Sequence, residues 1–402
     1  MLAFPIVVAN LTQPILGAVD TAVAGHLDGP QYLGGVALGG LVFSFVFWGF
    51  GFLRMGTTGL AAQAFGARND DALRATLLRA LLLAAAIGLV VLAVQTPLIA
   101  FGVGALGGSE AVQATARLYC HARIWAAPFA LANYVVLGYL LGCQRVRLAL
   151  LTQVFINAIN IVAVLLFVYR FDWGIAGIGA ATAAADACGF ALGMAILWQL
   201  RPRGLAPLAW SALSDPHALK RLVAINRDIF VRTLCLLGAF GWFAHLGARE
   251  GDAILAANAL LLNFQTFMAF GLDGFAHAAE ALVGAAGFSL LYWAGGAWIV
   301  GLLTDQASIR AAALQYLPWA AALPLASVAG FQLDGVFIGA TRTRELMLAM
   351  TVSSAVFLLA AWALAGPFGN HGLWLAMTVF MVARGVTLGV QLPGVERRTG
   401  LG

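Results

Sequence analysis

Residues 134–147 read YVVLGYLLGCQRVR, and residues 331–344 read FQLDGVFIGATRTR. Each string carries a Gly-x-x-x-Gly step, an Arg three residues later and then x-Arg, within matching apolar surroundings. Gly138 and Gly142 thus pair with Gly335 and Gly339 at an offset of 197. Upstream, LAAQAFGA (60–67) resembles HAAEALVGAA (277–286), which sets Gln63 opposite Glu280 at an offset of 217. The chain is therefore built from two related halves. Repeats flanking a central site are the arrangement on which alternating access is commonly built in polytopic membrane proteins.

The solvent follows from composition. Only 10% of the 402 residues are charged and 62% are hydrophobic, whereas a soluble domain carries roughly 25% charged residues. Stretches such as 35–53, 77–103 and 149–169 have few or no charges, and about 20 apolar residues suffice for a helix to cross a bilayer. The 47 glycines suit helices that approach closely in lipid. A barrel would show short alternating segments instead. The expected fold is an all-α integral membrane protein.

Twelve spans are expected: 2–24, 36–65, 74–103, 111–141, 147–169 and 175–199, then 224–247, 255–286, 288–304, 310–340, 345–366 and 372–393. The N-terminal lobe is 1–199, a polar cytoplasmic linker occupies 200–222, and the C-terminal lobe is 223–402. The two offsets disagree, since Gln63 to Gly138 is 75 positions and Glu280 to Gly335 is 55. The second half is thus short by about 20 residues, which the sequence places after residue 286.

The net charge of +5 does not point to nucleic acid, because the basic residues are spread over short loops. Arg68, Arg74, Arg79, Arg145, Arg147, Arg201, Arg203, Lys220, Arg221, Arg342, Arg344, Arg397 and Arg398 fall on one side of the alternating loops. By the positive-inside rule both termini are cytoplasmic. The apolar start lacks the basic leader of a signal peptide. Cys120, Cys143, Cys188 and Cys235 have no metal-ligand spacing and are expected as small core residues.

Several strings resemble the multidrug and toxic compound extrusion (MATE) family, in its DinF-like branch. They are NLTQPILGAVDTAVAGHLDGPQYLGGVALGG (10–40), FLRMGTTGLAAQAFGA (52–67), LDGF (272–275), LDGVFIGATR (333–342) and GNHGLWLAMTVF (369–380). The resemblance covers nearly the whole chain except the gap after 286. It implies twelve transmembrane helices in two pseudo-symmetric six-helix bundles, with no cofactor beyond an ion gradient. It also implies a monomer in a bacterial inner membrane that exchanges protons, or alternatively sodium, for amphipathic or cationic drugs and toxins, with proton coupling the main mode in this branch.

Ionisable residues inside a span cost about 2.5–3.5 kcal/mol on insertion scales and need a partner or a role. Asp20 lies late in the first span, six residues after Pro14. The proline removes a helical hydrogen bond and permits a kink. An apolar cavity disfavours the charged form of a carboxyl group, so Asp20 suits proton binding and release. The resemblance places a proton-linked Asp here; the alternative is a capping carboxylate at the outer interface.

Gln153, Asn157 and Asn160 stand at i, i+4 and i+7 on the fifth span, and Thr182 and Asp186 at i, i+4 on the sixth. Together with Asp20 they are expected to form one hydrogen-bonded coupling site, the alternative being interhelical glue at about 0.6 kcal/mol per bond. Many relatives carry an Asp four residues after the second Asn, where this chain has Val164, so Asp186 is the candidate second carboxylate.

Asp273, His277 and Glu280 make a second stripe on the eighth span, expected to face Asp334. Such a row suits a proton relay or a cation counter-charge. Sodium-coupled relatives place a carboxylate a few residues before Asp334, near Phe331 here, which weighs against a sodium site. Arg54 is read as either the partner of a buried carboxylate or a snorkelling interface residue. Asp228 and Arg232, at i, i+4, are expected to form an ion pair.

The G-x-G-x-x-G in GVGALGG (102–108) follows no strand and ends an apolar helix, so it is no dinucleotide fingerprint. No Walker A, HExxH or G-x-S-x-G string is present, and no hydrolytic or intramembrane-enzyme constellation emerges. A lipid-linked sugar flippase of the same superfamily would call for a cavity rich in Arg and Lys, and the spans offer little beyond Arg54 and Arg232.

Overall fold

The structure is a computed structural model that describes residues 19–20, 23–24, 27, 30–107, 109–200, 213–272, 278–304 and 306–399. Those residues are helical almost throughout. They divide into two compact units, Val8–Asn226 and a second containing Arg227–Gly402. Nine of the described helical segments are long and apolar enough to cross a membrane.

Helix breakers set the joints of the first unit. The second span is α1 (Pro30–Gly49) and α2 (Phe52–Gly66), interrupted at the glycine pair Gly49 and Gly51. The third span is α3 (Asp70–Ala93) and α4 (Gln95–Leu106). Pro97 is the cause, because its ring excludes the carbonyl four residues back, that of Ala93, from a helical bond. The fourth span is α5 (Glu110–Arg123), a 3₁₀ turn over Ile124–Ala126, and α6 (Ala127–Gly142) with Pro128 in its first turn. Then come α7 (Val146–Leu165), a π turn over Leu166–Arg170, and α8 (Gly174–Leu200). Asn69 caps α3 and Ser109 caps α5, each side chain accepting a backbone N–H.

Glycines decide which of these helices touch. A Cβ at Gly138 would lie 2.4 Å from the Arg54 carbonyl, and one at Gly142 would lie 2.7 Å from that of Thr58, so α6 meets α2 backbone to backbone. Gly35 and Gly39 make room on α1 for the Thr115 and Tyr119 side chains of α5, and Gly179 brings α8 onto the Tyr119 carbonyl.

The remaining helices are α9 (Pro216–Arg249), α10 (Asp252–Leu272), α11 (Ala278–Leu303), α12 (Ala307–Gly339) and α13 (Thr343–Thr399). Gly369, at φ 53° and ψ −138°, divides α13 into the eleventh and twelfth spans. The core of the second unit runs through Phe243, Leu261, Phe264, Tyr316, Phe357, Trp374 and Phe380. Within it, Asn258 and Asn370 exchange hydrogen bonds at 2.7 and 3.0 Å, and the Trp374 indole donates to Asn258 Oδ1 at 2.8 Å.

Three expectations shift. Helix α9 starts at 216 rather than 224, absorbing the end of the expected linker. The boundary expected at 286–288 between the eighth and ninth spans falls inside α11, which runs unbroken from Ala278 to Leu303. Residues 278–303 hold no proline and one charge, so nothing stops the helix at 286. Cys188 is exposed and Cys235 half-buried, so only Cys120 and Cys143 are core residues.

The repeat appears in the backbone. After α6, Arg145 N–H bonds the Leu140 carbonyl at 2.7 Å and Gln144 N–H that of Leu141 at 3.0 Å. After α12, Arg342 N–H bonds Phe337 at 2.8 Å and Thr341 N–H bonds Ile338 at 2.9 Å. Gln144 and Thr341 take the same left-handed φ, 58° and 52°, in a position usually given to glycine.

Candidate functional site

In the first unit, polar side chains converge from the segment at Asp20 and from α5, α6, α7 and α8. Asp20 is 7% exposed, and its Oδ1 atom has no hydrogen-bond partner among the described residues. Its neighbours Val23 and Ala24 are buried in the apolar cluster that contains Phe43, Tyr119, Val164 and Ile178. Water is thus largely excluded from a carboxyl group whose own chemistry demands it.

The two stripes on α7 and α8 meet at Asn160 and Thr182. Asn160, fully buried, donates through Nδ2 to Thr182 Oγ1 at 3.1 Å, and the Thr182 hydroxyl donates in turn to the Ile178 carbonyl at 3.3 Å. Gln153 donates to Asn157 Oδ1 at 3.3 Å along α7 itself. Asp186 is held from α6, where Asn133 Nδ2 reaches its carbonyl at 2.9 Å and its Oδ1 at 3.2 Å. Asn133 Oδ1, Asn157 Nδ2 and Asn160 Oδ1 keep unused capacity. Instead of one continuous network the structure holds separate pairs, with Asp20 hydrogen-bonded to none of them through Oδ1. Pairing is what side-chain length permits across helix seams, since each amide reaches one neighbouring helix.

Arg123 of α5, not singled out from the sequence, adds a buried cation to the same unit. It ends α5 midway along the Glu110–Gly142 span. Its guanidinium donates to the Tyr119 hydroxyl at 2.6 Å and lies over two rings, 4.8 Å from Phe43 and 5.6 Å from Tyr119. Its charge acts on Asp20 and on Asp186. The signal was a charged residue in an apolar window, four residues after a tyrosine. Arg54, the candidate partner cation, makes no ion pair among the described residues; its charge acts on Tyr134 of α6. Val164, at the departure from the family pattern, is fully buried in the apolar cluster.

In the second unit, Asp334 of α12 is the centre of a different arrangement. Both Arg232 of α9 and Arg384 of α13 donate to its Oδ2, the latter at 2.7 Å. All three side chains are at most 7% exposed. The Arg384 guanidinium lies 5.1 Å from the Phe331 ring centroid, at the position where a sodium-site carboxylate would be sought. Gly330 and Gly385 allow the approach, their backbones facing each other with only 3.3–3.4 Å left for a Cβ at Gly330 against Arg384 or at Gly385 against Gly330. The expected Asp228–Arg232 pair does not form. Asp228 instead binds Arg227 at 2.8 Å and accepts from Thr343 at 3.3 Å, while Arg232, one turn on, is engaged by Asp334. Pro14, Asp273 and His277, with the Glu280 side chain, lie outside the described residues.

Comparison with known proteins fits this architecture. The MatE family model matches residues 5–166. The chain is 41% identical to DNA damage-inducible protein F of Escherichia coli, covering 96% of this chain and 90% of that one. That aligned stretch spans 417 positions, more than the 402 residues here, so the relative carries residues this chain lacks. Among solved structures, the Vibrio cholerae MATE transporter VcmN in its bent form superposes with a TM-score of 0.83 at 20% identity, over 100% of this chain and 96% of that one. A MOP superfamily transporter from Pyrococcus furiosus superposes at 0.85 with 15% identity, over 99% and 94%. Two bundles of apolar helices with polar groups buried at their seams, and a close relative along nearly the whole length, make one conclusion: the chain belongs to the MATE family of membrane transporters, in its DinF-like branch.

Proposed function

We propose that this transporter is a proton-coupled antiporter that exports amphipathic, cationic compounds, with Asp20 as the main protonation site. The observation that carries the reading is Asp20 itself: a carboxyl group buried in an apolar cluster, with one oxygen lacking any hydrogen-bond partner. Such a group gains from taking either a proton or a cation. A ligand can shift a conformational equilibrium only through different affinity for the two states. Protonation from outside neutralises Asp20 and releases the bound compound. Deprotonation toward the cytoplasm restores the site.

Gln153, Asn157, Asn160, Thr182 and Asp186 serve in this reading as the polar wall that repacks when Asp20 changes charge. The unused Nδ2 of Asn157 and Oδ1 of Asn160 supply alternative hydrogen bonds that a second state needs. Asp273, His277, Glu280 and Asp334 are the second candidates for coupling. Asp334 already carries two guanidinium partners, which favours Asp20 as the responsive carboxylate. The same pairing argues against a pyrophosphate-binding flippase, since Arg232 is engaged by Asp334. The protein works in a bacterial inner membrane with both termini in the cytoplasm, as a monomer.

The test is drug-driven proton movement in proteoliposomes under an imposed pH gradient. Asp20→Asn abolishes the exchange if Asp20 couples; intact exchange in the variant moves coupling to the second unit.

A further inference from the structure

We propose that Asn133 is a positioning residue for the coupling site: it turns the Asp186 carboxylate and holds it in its ionised form, and so sets the pH range over which that charge is kept for a cationic compound. This rests on the reading of the first unit as the drug and proton site.

The contact is made at a seam of small residues. Gly189 and Gly193 form a Gly-x-x-x-Gly step on α8 that begins three residues after Asp186. A Cβ at Gly193 would lie 2.8 Å from Val136 of α6. One at Gly189 would lie 2.2 Å from Ile156 of α7 and 3.4 Å from Asn133 Nδ2. Without those side chains α6 and α7 close on α8, and Asn133, only 8% exposed, reaches Asp186 across the seam.

What Asn133 touches fixes the orientation of its amide. Its Nδ2 atom lies 2.9 Å from the Asp186 backbone carbonyl, a group that can only accept. The nitrogen must therefore face α8, and the same nitrogen lies 3.2 Å from Asp186 Oδ1. Its two hydrogens suffice for both bonds. The Asn133 Oδ1 atom has no hydrogen-bond partner among the described residues, so the amide is oriented from the Asp186 side.

A donor fixed against a carboxylate oxygen favours the ionised form, which accepts more strongly than the neutral acid. The bond commits Oδ1 of Asp186 and leaves Oδ2 to a ligand. Two other groups face Asp186, Arg123 at the end of α5 and Tyr134 beside Asn133 on α6. Tyr134 brings no charge in its neutral form. Arg123 gives its hydrogen bond to the Tyr119 hydroxyl, at 2.6 Å. Among the described residues, the side chain that donates to Asp186 is Asn133.

Infrared difference spectra of the purified full-length protein, recorded as the pH is lowered, show the carbonyl band of each carboxyl group as it takes a proton. The band lost in Asp186→Asn belongs to Asp186. In Asn133→Leu, similar in shape but without a donor, that band is expected to appear about one pH unit higher than in the wild type. The sign follows because the ionised form loses the stronger bond. A merely structural asparagine would leave the band where it is. An unshifted band in folded Asn133→Leu, or a shift to lower pH, overturns the proposal. Where Asn133→Leu does not fold, Asn133→Ser, whose hydroxyl is one bond short of the carboxylate, carries the same prediction and the same refutation.

Ethidium, whose positive charge does not titrate, separates the two levels. At alkaline pH Asn133→Leu is expected to bind it as the wild type does, and on acidification to lose it about one pH unit earlier. If neither Asp20→Asn nor Asp186→Asn weakens ethidium binding, the reading of the first unit as the drug site fails, and with it the part of the proposal that concerns the compound. If Asp186→Asn weakens binding while the infrared band stays in place in Asn133→Leu, only the role of Asn133 falls.

Discussion

Arg384 and Arg232 share a single oxygen of Asp334, at a point where α9, α12 and α13 of the second unit meet. Two cations on one buried carboxylate make that carboxylate the keystone. Removing one arginine leaves Asp334 still paired, whereas removing the carboxylate takes the ion-pair partner from two guanidinium groups at once. Breaking a buried pair from one side costs about 3–5 kcal/mol. Asp334→Asn is therefore expected to lower the thermal midpoint in detergent well below that of Arg232→Gln. Equal midpoints would show that the arginines find other partners.

Gly138 and Gly142 press against the α2 backbone, and a Cβ at Gly138 would lie 2.4 Å from the Arg54 carbonyl. Gly138→Ala is expected to destabilise by about 1–3 kcal/mol through overpacking. Thermal unfolding beside the wild type checks this, and an unchanged midpoint would mean that α6 and α2 can move apart without cost.

Helix ends supply a third expectation. Gln144 and Thr341 hold positive φ without being glycine. A glycine relieves the Cβ clash there, so Gln144→Gly is expected to stabilise by about 1 kcal/mol. A clear loss of stability would mean that the Gln144 side chain makes a contact that outweighs the backbone strain.

Asn160 separates structure from transport. Its bond to Thr182 is one interhelical hydrogen bond, worth about 0.6 kcal/mol in a membrane. Asn160→Ala is thus expected to change stability little while impairing drug export markedly. Export that falls only in proportion to folded protein would reduce the stripe to interhelical glue.

Much of this was legible from residue order. The twelve-span plan, the duplicated glycine strings and the carboxylates follow from periodicity and charge in apolar windows, and the repeat reappears as matched backbone at Gln144 and Thr341. Breaks inside spans were less legible, because hydropathy averages over Pro97 and Pro128 although each stops a helical ladder. Partner choice was not legible. Asp228 and Arg232 sit one turn apart, yet Arg232 reaches Asp334, 102 residues away. Arg123 and Arg384 lie in plain view within apolar spans, but their roles depend on rings and carboxylates that only folding brings beside them.

If drug and proton compete for Asp20, ethidium added to the purified protein in weakly buffered detergent solution displaces protons that a pH-sensitive dye can read. The wild type is predicted to release protons as ethidium binds, and Asp20→Asn to release none. Equal release from both proteins would rule out Asp20 as the shared site.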